Sequence, residues 1–168
     1  INDILSIGDI CAFYDDEGED YFVGFYLASD DEFSIFQLIT PRGFDDGLYI
    51  TLTESIFRVD VESRYVKKIN KLFWLHKQEL ILYEHSGNDL MEFIFDYSMS
   101  NDYAVTVVLS DDEEVVGFVE SQSENEVLVA IYDEFGEANG KTHISKAAVQ
   151  KVGVNSVAMK NIKLLRDN

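Results

Sequence analysis

Carboxylates are the side chains this sequence offers most freely for chemistry, and Asp15-Asp16-Glu17-Gly18-Glu19-Asp20 sets five of them in six positions. Such a run raises the question of a calcium loop. A calcium loop alternates its oxygen ligands with spacers and ends on a glutamate that grips the ion with both oxygens. This run does neither, and it reads as an acidic, solvated hairpin turn. The histidines, His76, His85 and His143, are scattered, and the nearest two are nine residues apart. That spacing does not set two ligands on one face of a helix. Cys11 is the single cysteine. It lies in the apolar stretch Ile10-Cys11-Ala12-Phe13 and reads as a buried structural thiol rather than a nucleophile. No Ser, Cys or Thr stands in a nucleophile motif. Gly43-x-x-x-Gly47 and Gly136-x-x-x-Gly140 lack the Gly-Lys-Ser or Gly-Lys-Thr of a phosphate loop and read as turn glycines. The expectation is a protein that is not an enzyme and holds no metal and no cofactor.

Cations are fewer, and they cluster: Arg58, Arg64, Lys67, Lys68 and Lys71, then Lys146, Lys151, Lys160, Lys163 and Arg166. As a binding surface, Arg58, Arg64, Lys67, Lys68, Lys151 and Lys160 are the candidate anion strip. As structure, they are cations near helix C-termini on a mixed solvated face. The whole chain carries 32 Asp and Glu against 13 Lys and Arg, a net charge of -19. Residues 1–73 hold 15 against 6, a net of -9. Such a field repels phosphate backbones and anionic lipid and suits a basic partner. No apolar run reaches membrane-spanning length, no signal peptide is visible, and one cysteine allows no internal disulfide. No membrane association and a cytoplasmic location are expected.

The elements that would position these groups come twice. Sliding the chain along itself by 93 residues aligns residues 23–72 with 116–165 without a gap. Eleven of the fifty pairs are identical, where average composition gives roughly three. They include Gly24/Gly117, Phe25/Phe118, Gly43/Gly136, Gly47/Gly140, Ser63/Ser156, Ile69/Ile162 and Leu72/Leu165. Upstream, residues 10–14 match 105–109 if a two-residue insertion is allowed in the acidic turn.

Copy two shows the pattern best. Val105, Val107 and Leu109 alternate as a half-buried strand does. Residues 110–113 form an acidic turn, and 115–121 a second strand whose internal Gly117 marks a bulge or bend. Residues 127–132 are a third strand. Residues 135–140 are a turn with the hairpin signal Asn139-Gly140, followed by short strands at 142–145 and 149–154. Ser156 then caps a helix with Met159, Ile162 and Leu165 on one face, as Ser63 does before Val66, Ile69 and Leu72. Between the copies, Ser86-Gly87-Asn88-Asp89 reads as a capping box before Leu90, Phe93, Ile94 and Tyr97. Residues 74–85 fit either helix or strand. The expected architecture is mainly β with α: two small SH3-like or Sm-like five-stranded barrels, residues 1–73 and 102–168, joined by a helical linker at 74–101.

The run VTVVLSDDEEVVGFVESQSENEVLVAIYD, residues 105–133, resembles the first half of an Sm-like domain. The endings Val59-x-Val61-x-Ser63 and Val152-x-Val154-x-Ser156 are similar to those of small tandem proteins of this type, of unassigned role, from Gram-positive bacteria. The resemblance implies RNA contacts from an Asp and an Asn after the second strand and an Arg-Gly pair near the fifth. This sequence departs there: it has Ser121-Gln122-Ser123 and, in copy one, Ala28-Ser29-Asp30-Asp31-Glu32, while Val152 precedes Gly153. The expected function is a non-enzymatic interaction scaffold with a protein partner. An atypical Sm-like RNA-binding protein is the alternative, and homo-oligomers through barrel edge strands are a further expectation.

Overall fold

The computed structural model describes residues 3–15, 20–81, 83 and 89–168. The chain divides into two compact units, Ile1–Leu90 and Met91–Asn168. The fold is mainly β, with antiparallel strands and α-helices. The first unit contains β1 (Ile10–Tyr14), β2 (Phe22–Ser29), β3 (Phe33–Ile39), β4 (Asp45–Leu52), β5 (Arg58–Asp60) and helix α1 (Arg64–Leu75). Helix α2 (Leu90–Asn101) starts on the last residue of that unit and otherwise belongs to the second. The second unit continues with β6 (Val105–Leu109), β7 (Glu114–Gln122), β8 (Glu126–Tyr132), β9 (Ala138–Ser145), β10 (Val149–Val154) and α3 (Val157–Asp167). Strand order is β5-β1-β2-β3-β4 in the first unit and β10-β6-β7-β8-β9 in the second. No helix among the described residues is long and apolar enough to cross a membrane.

The repeat holds at the level of single backbone pairs. Gly24 faces Leu38 and Gly117 faces Ile131; Phe36 faces Tyr49 and Val129 faces Thr142. Even the irregularities recur: β2 carries an extra residue at Leu27, and β7 carries one at Glu120. The first strands correct the alignment drawn from sequence. Cys11 faces Gly24 and Val105 faces Gly117, so Cys11 corresponds to Val105, and one residue separates the copies there, not two. A slip of one residue inverts every side chain of a strand. The structural register therefore pairs buried Cys11 and Phe13 with buried Val105 and Val107.

The glycines do different work from that expected. The bulges lie at Leu27 and Glu120, not at Gly24 and Gly117. Those two glycines let the neighbouring strand come close: a Cβ would sit 2.7 Å from the Gln37 carbonyl oxygen and 1.9 Å from that of Ala130. The expected turn over 135–140 is earlier and tighter. Asp133 Oδ1 accepts from the amides of Phe135 and Glu137, each at 2.9 Å, and Gly136 N donates to Asp133 O at 3.1 Å. Strand β9 starts at Ala138, so Asn139-Gly140 is a bulge inside it rather than a hairpin turn. Glycine at positive φ serves either purpose, and the two are indistinguishable in sequence.

Both terminal helices are capped as expected: Ser63 Oγ accepts from Val66 N and Ser156 Oγ from Met159 N, each at 3.2 Å. Each cap is preceded by a residue at φ 58°, Glu62 and Asn155. These helices return onto the β3–β4 and β8–β9 hairpins. There a Cβ on Gly43 would lie 2.4 Å from Leu72 Cβ, and one on Gly136 would lie 2.5 Å from Leu165 Cβ. Two of the sequence identities, glycine and leucine, are therefore one contact made twice.

The first core packs Leu5, Cys11, Phe13, Tyr26, Phe36, Leu38 and Tyr49, with the Phe13 and Phe36 rings stacked at 4.0 Å. The second packs Ala104, Phe118, Met159 and Ile162. Residues 79–81 are neither helix nor strand. Buried Gln37 satisfies their backbone instead: its Nε2 donates to Glu79 O at 3.0 Å, and its Oε1 accepts from Ile81 N at 2.6 Å. Of the expected capping box Ser86-Gly87-Asn88-Asp89, residues 86–88 lie outside those described. The amide of Leu90 donates to Asp30 Oδ2 at 2.8 Å. On α2 the fully buried residues are Leu90, Met91, Ile94, Phe95 and Ser98, while Phe93 and Tyr97 are half-buried and stack on each other at 5.8 Å. The buried face is thus rotated from the expected one and takes in Met91 and Phe95.

Gly43→Ala and Gly136→Ala should each destabilise by about 2–4 kcal/mol, because left-handed backbone strain and overpacking combine. Gly140, also at φ 84° but with nothing within 4 Å of a Cβ, should cost only about 1 kcal/mol as alanine. Urea unfolding reads the difference. Equal losses at Gly136 and Gly140 would show that the leucine contact is slack.

Candidate functional site

The candidate anion strip divides between the units. Arg58 lies on β5, where its Nε and Nη2 donate to Asp60 at 3.0 Å and its guanidinium sits 4.6 Å from the centre of the Tyr14 ring. Bonding to Asp60 pushes the Arg58 pKa up further. Arg64, Lys67 and Lys68 are exposed on α1 at i, i+3 and i+4, a single helix face. In the second unit, Lys151 is buried on β10 and Lys160 is half-buried on α3.

The polar groups where an Sm-like protein would hold RNA are engaged in structure. Asp30 Oδ1 accepts from Glu32 N and Phe33 N at 2.8 and 2.7 Å, and its other oxygen holds Leu90 N. Ser29 belongs to a hydroxyl chain, Tyr26–Ser29–Ser34–Thr53, with 2.7 Å links. In the second unit, Gln122 donates to Glu92 O at 3.0 Å and Asp96 Oδ1 at 2.8 Å, and accepts from Lys146 Nζ at 2.7 Å. Gly153 is a strand residue facing Thr106.

Arg166, near the end of α3, is a further anchored cation of the second unit. It forks onto Asp102, with Nη1 at 3.0 Å from Oδ1, and lies 3.9 Å from the centre of the Phe118 ring. Its counterpart in the first unit is Phe73, buried edge-on against Phe25 at 4.9 Å. A ring–ring contact and a cation–ring contact thus fill equivalent places. The Arg166 bonds hold the Asp102 carboxyl below the ordinary carboxylate range.

What the sequence reading missed is an aromatic surface of the first unit. Tyr14 on β1, Tyr21 beside β2, Phe57 before β5 and Tyr65 on α1 come together. The centroid distances are 5.3 Å for Tyr14–Tyr21, 5.9 Å for Tyr14–Phe57 and 6.0 Å for Tyr21–Tyr65. Tyr21 is 42% exposed, Phe57 59% and Tyr65 37%. Four rings from four segments cannot be joined by any local pattern. The repeat carried a signal all the same: the corresponding residues of copy two are Val108, Glu114, Gln150 and Ala158. Copy two builds the same ladders without them.

The groups considered for catalysis or metal binding are placed as follows. Cys11 is fully buried, and desolvation with the nearby Asp9 charge pushes its thiol up to about 12. Asp15 is buried and accepts from the Tyr49 hydroxyl at 2.5 Å. Residues 16–19 of the acidic run and His85 lie outside the described residues. His76 stacks on Phe44 at 4.2 Å, with Nε2 3.1 Å from Arg42 O, and His143 lies on β9. Among the described residues no three His, Cys, Asp or Glu side chains converge as metal ligands. Comparison of the chain with models of protein families, with curated proteins and with solved structures finds no match.

Two measurements check these environments. The Cys11 thiol should resist a thiol-reactive disulfide reagent at pH 8 and react at the rate of global unfolding; rapid reaction in native buffer would contradict its burial. Asp102, with its folded pKa lowered, contributes stability that is present above the unfolded value and fades as pH falls through the folded one. Asp102→Asn should therefore be slightly less stable than wild type at pH 7, and the gap should close in acid below about pH 4. A gap that persists or widens in acid would refute the pairing.

Proposed function

We propose that this is a non-enzymatic interaction protein in which two small barrels of the SH3-like or Sm-like kind form a scaffold and the first unit docks another protein. The aromatic cluster of Tyr14, Tyr21, Phe57 and Tyr65 carries this reading. Rings held partly exposed on and beside paired strands and a helix lose little freedom when a partner covers them, and aromatic anchors dominate protein interfaces. The cluster is confined to one copy, and the other builds the same ladders without it. The barrel reading is supported by the shared strand order, in which the last strand returns to pair with the first and bulges bend the second and fourth. The cytoplasmic location belongs to the same proposal.

Exposed rings also offer a stacking platform for unpaired bases, which keeps single-stranded RNA as the second reading. A net charge of -19 opposes it. Affinity capture from the native cell with wild type and with the double variant Tyr21→Ser/Phe57→Ser tests the two together. The expected result is a protein captured by wild type and lost with the variant, while circular dichroism stays unchanged. The same proteins retained by the variant, or RNA alone lost from it, would overturn the docking reading.

A further inference from the structure

Helix α1 carries Arg64, Lys67, Lys68 and Lys71 at i, i+3, i+4 and i+7, and all four are exposed. This face lies opposite Val66, Ile69 and Phe73, which are buried. The helix itself has no carboxylate, and among the described residues no carboxylate pairs with any of the four side chains. Nor does the helix dipole account for them. Cations are favoured in the last turn, where α1 has none, while Arg64 opens the helix at the end that favours anions. Elsewhere in the candidate strip Arg58 is paired with Asp60, Lys151 is buried and Lys160 is half-buried.

Four unpaired cations in a chain of net charge -19 form an island of opposite sign. The island spans about 10 Å of helical rise, close to the screening length of about 8 Å at physiological salt. A short anionic segment fits within it. A nucleic-acid strand or a lipid surface extends far beyond it and meets the acidic remainder of the chain. Apolar groups flank the cations. Tyr65, one turn before Lys68, belongs to the aromatic cluster through its contact with Tyr21. Trp74 and Leu75, 51% and 65% exposed, end the face, and the Trp74 indole donates to Asn70 Oδ1 at 3.1 Å. Asp9 and Glu62 line the cleft beside Lys67 and Asn70, so an acidic segment is steered to the other flank, toward Lys68 and Tyr65. In copy two Val157, Lys160, Asn161 and Leu164 stand at the corresponding places, and one cation remains of the four.

We infer that the exposed face of α1 takes a short acidic segment of the partner protein, with its carboxylates on Arg64, Lys67, Lys68 and Lys71. The inference rests on the reading that the first unit docks a protein, and it names the chemistry of that partner.

Fluorescence anisotropy with a labelled Gly-Glu-Glu-Leu-Glu-Glu-Leu-Gly peptide tests it, at about 0.1 M salt, where distant charges are screened. A version with Gln in place of Glu and a labelled ten-nucleotide oligouridine are measured alongside. The glutamate peptide should bind, and the glutamine peptide and the oligouridine should not. Lys67→Gln/Lys68→Gln should weaken binding by about tenfold, the loss of two exposed ion pairs, with circular dichroism unchanged. Lys141→Gln/Lys163→Gln, which removes the same charge from the second unit, should leave binding as it is. Equal weakening by the two double variants would reduce the effect to net charge and overturn the inference. So would the absence of binding by the glutamate peptide, or equal binding by the glutamine peptide or the oligouridine. If the glutamate peptide does not bind but Tyr21→Ser/Phe57→Ser still loses its captured protein, the docking reading stands and the acidic assignment falls. If both fail, both fall.

Discussion

In each unit the terminal helix lies so close to a strand hairpin that the hairpin must be glycine where they meet. Leu72 against Gly43 and Leu165 against Gly136 hold the helix over the sheet. Much else follows from that contact. The helix must start at a set point, which the Ser63 and Ser156 caps define. The chain must turn sharply just before the cap, which the left-handed Glu62 and Asn155 accomplish. The hairpin must also tighten, which in the second unit Asp133 does by gathering three hydrogen bonds around Gly136.

Around this shared frame the copies diverge where the frame is indifferent. Phe73 on Phe25 and Arg166 on Phe118 fill matching positions with different physics, one by apolar burial and the other by a cation balanced by Asp102. Hydroxyls link Ser29, Ser34 and Thr53 in the first unit, while Gln122 and Lys146 meet at the corresponding positions of the second. The exposed aromatic surface belongs to the same class of difference. It sits on and beside strands and on a helix that both copies possess, and in one copy only it is furnished with rings. In the other copy Val108, Glu114, Gln150 and Ala158 stand at the corresponding places.

The sequence by itself determined the repeat, its 93-residue register, the mainly β character, the two capped helices and the burial of Cys11. These are set by local propensity or by spacing that recurs, and such signals survive without knowledge of the third dimension. It also showed that the charge opposes phosphate, since net charge depends on no fold. Only the tertiary structure decided the rest. A one-residue offset at the first strand is invisible when short apolar strands slide freely over one another, and it becomes plain when Cys11 is seen facing Gly24. Asn139-Gly140 could be turn or bulge until the partner strand showed which. The buried face of α2 depends on what surrounds it, so Phe95 could not be told from Phe93 by period alone. The candidate site was the least legible of all: Tyr14, Tyr21, Phe57 and Tyr65 are separate aromatic residues in sequence, and only the pairing of β1 with both β2 and β5 brings them to one surface.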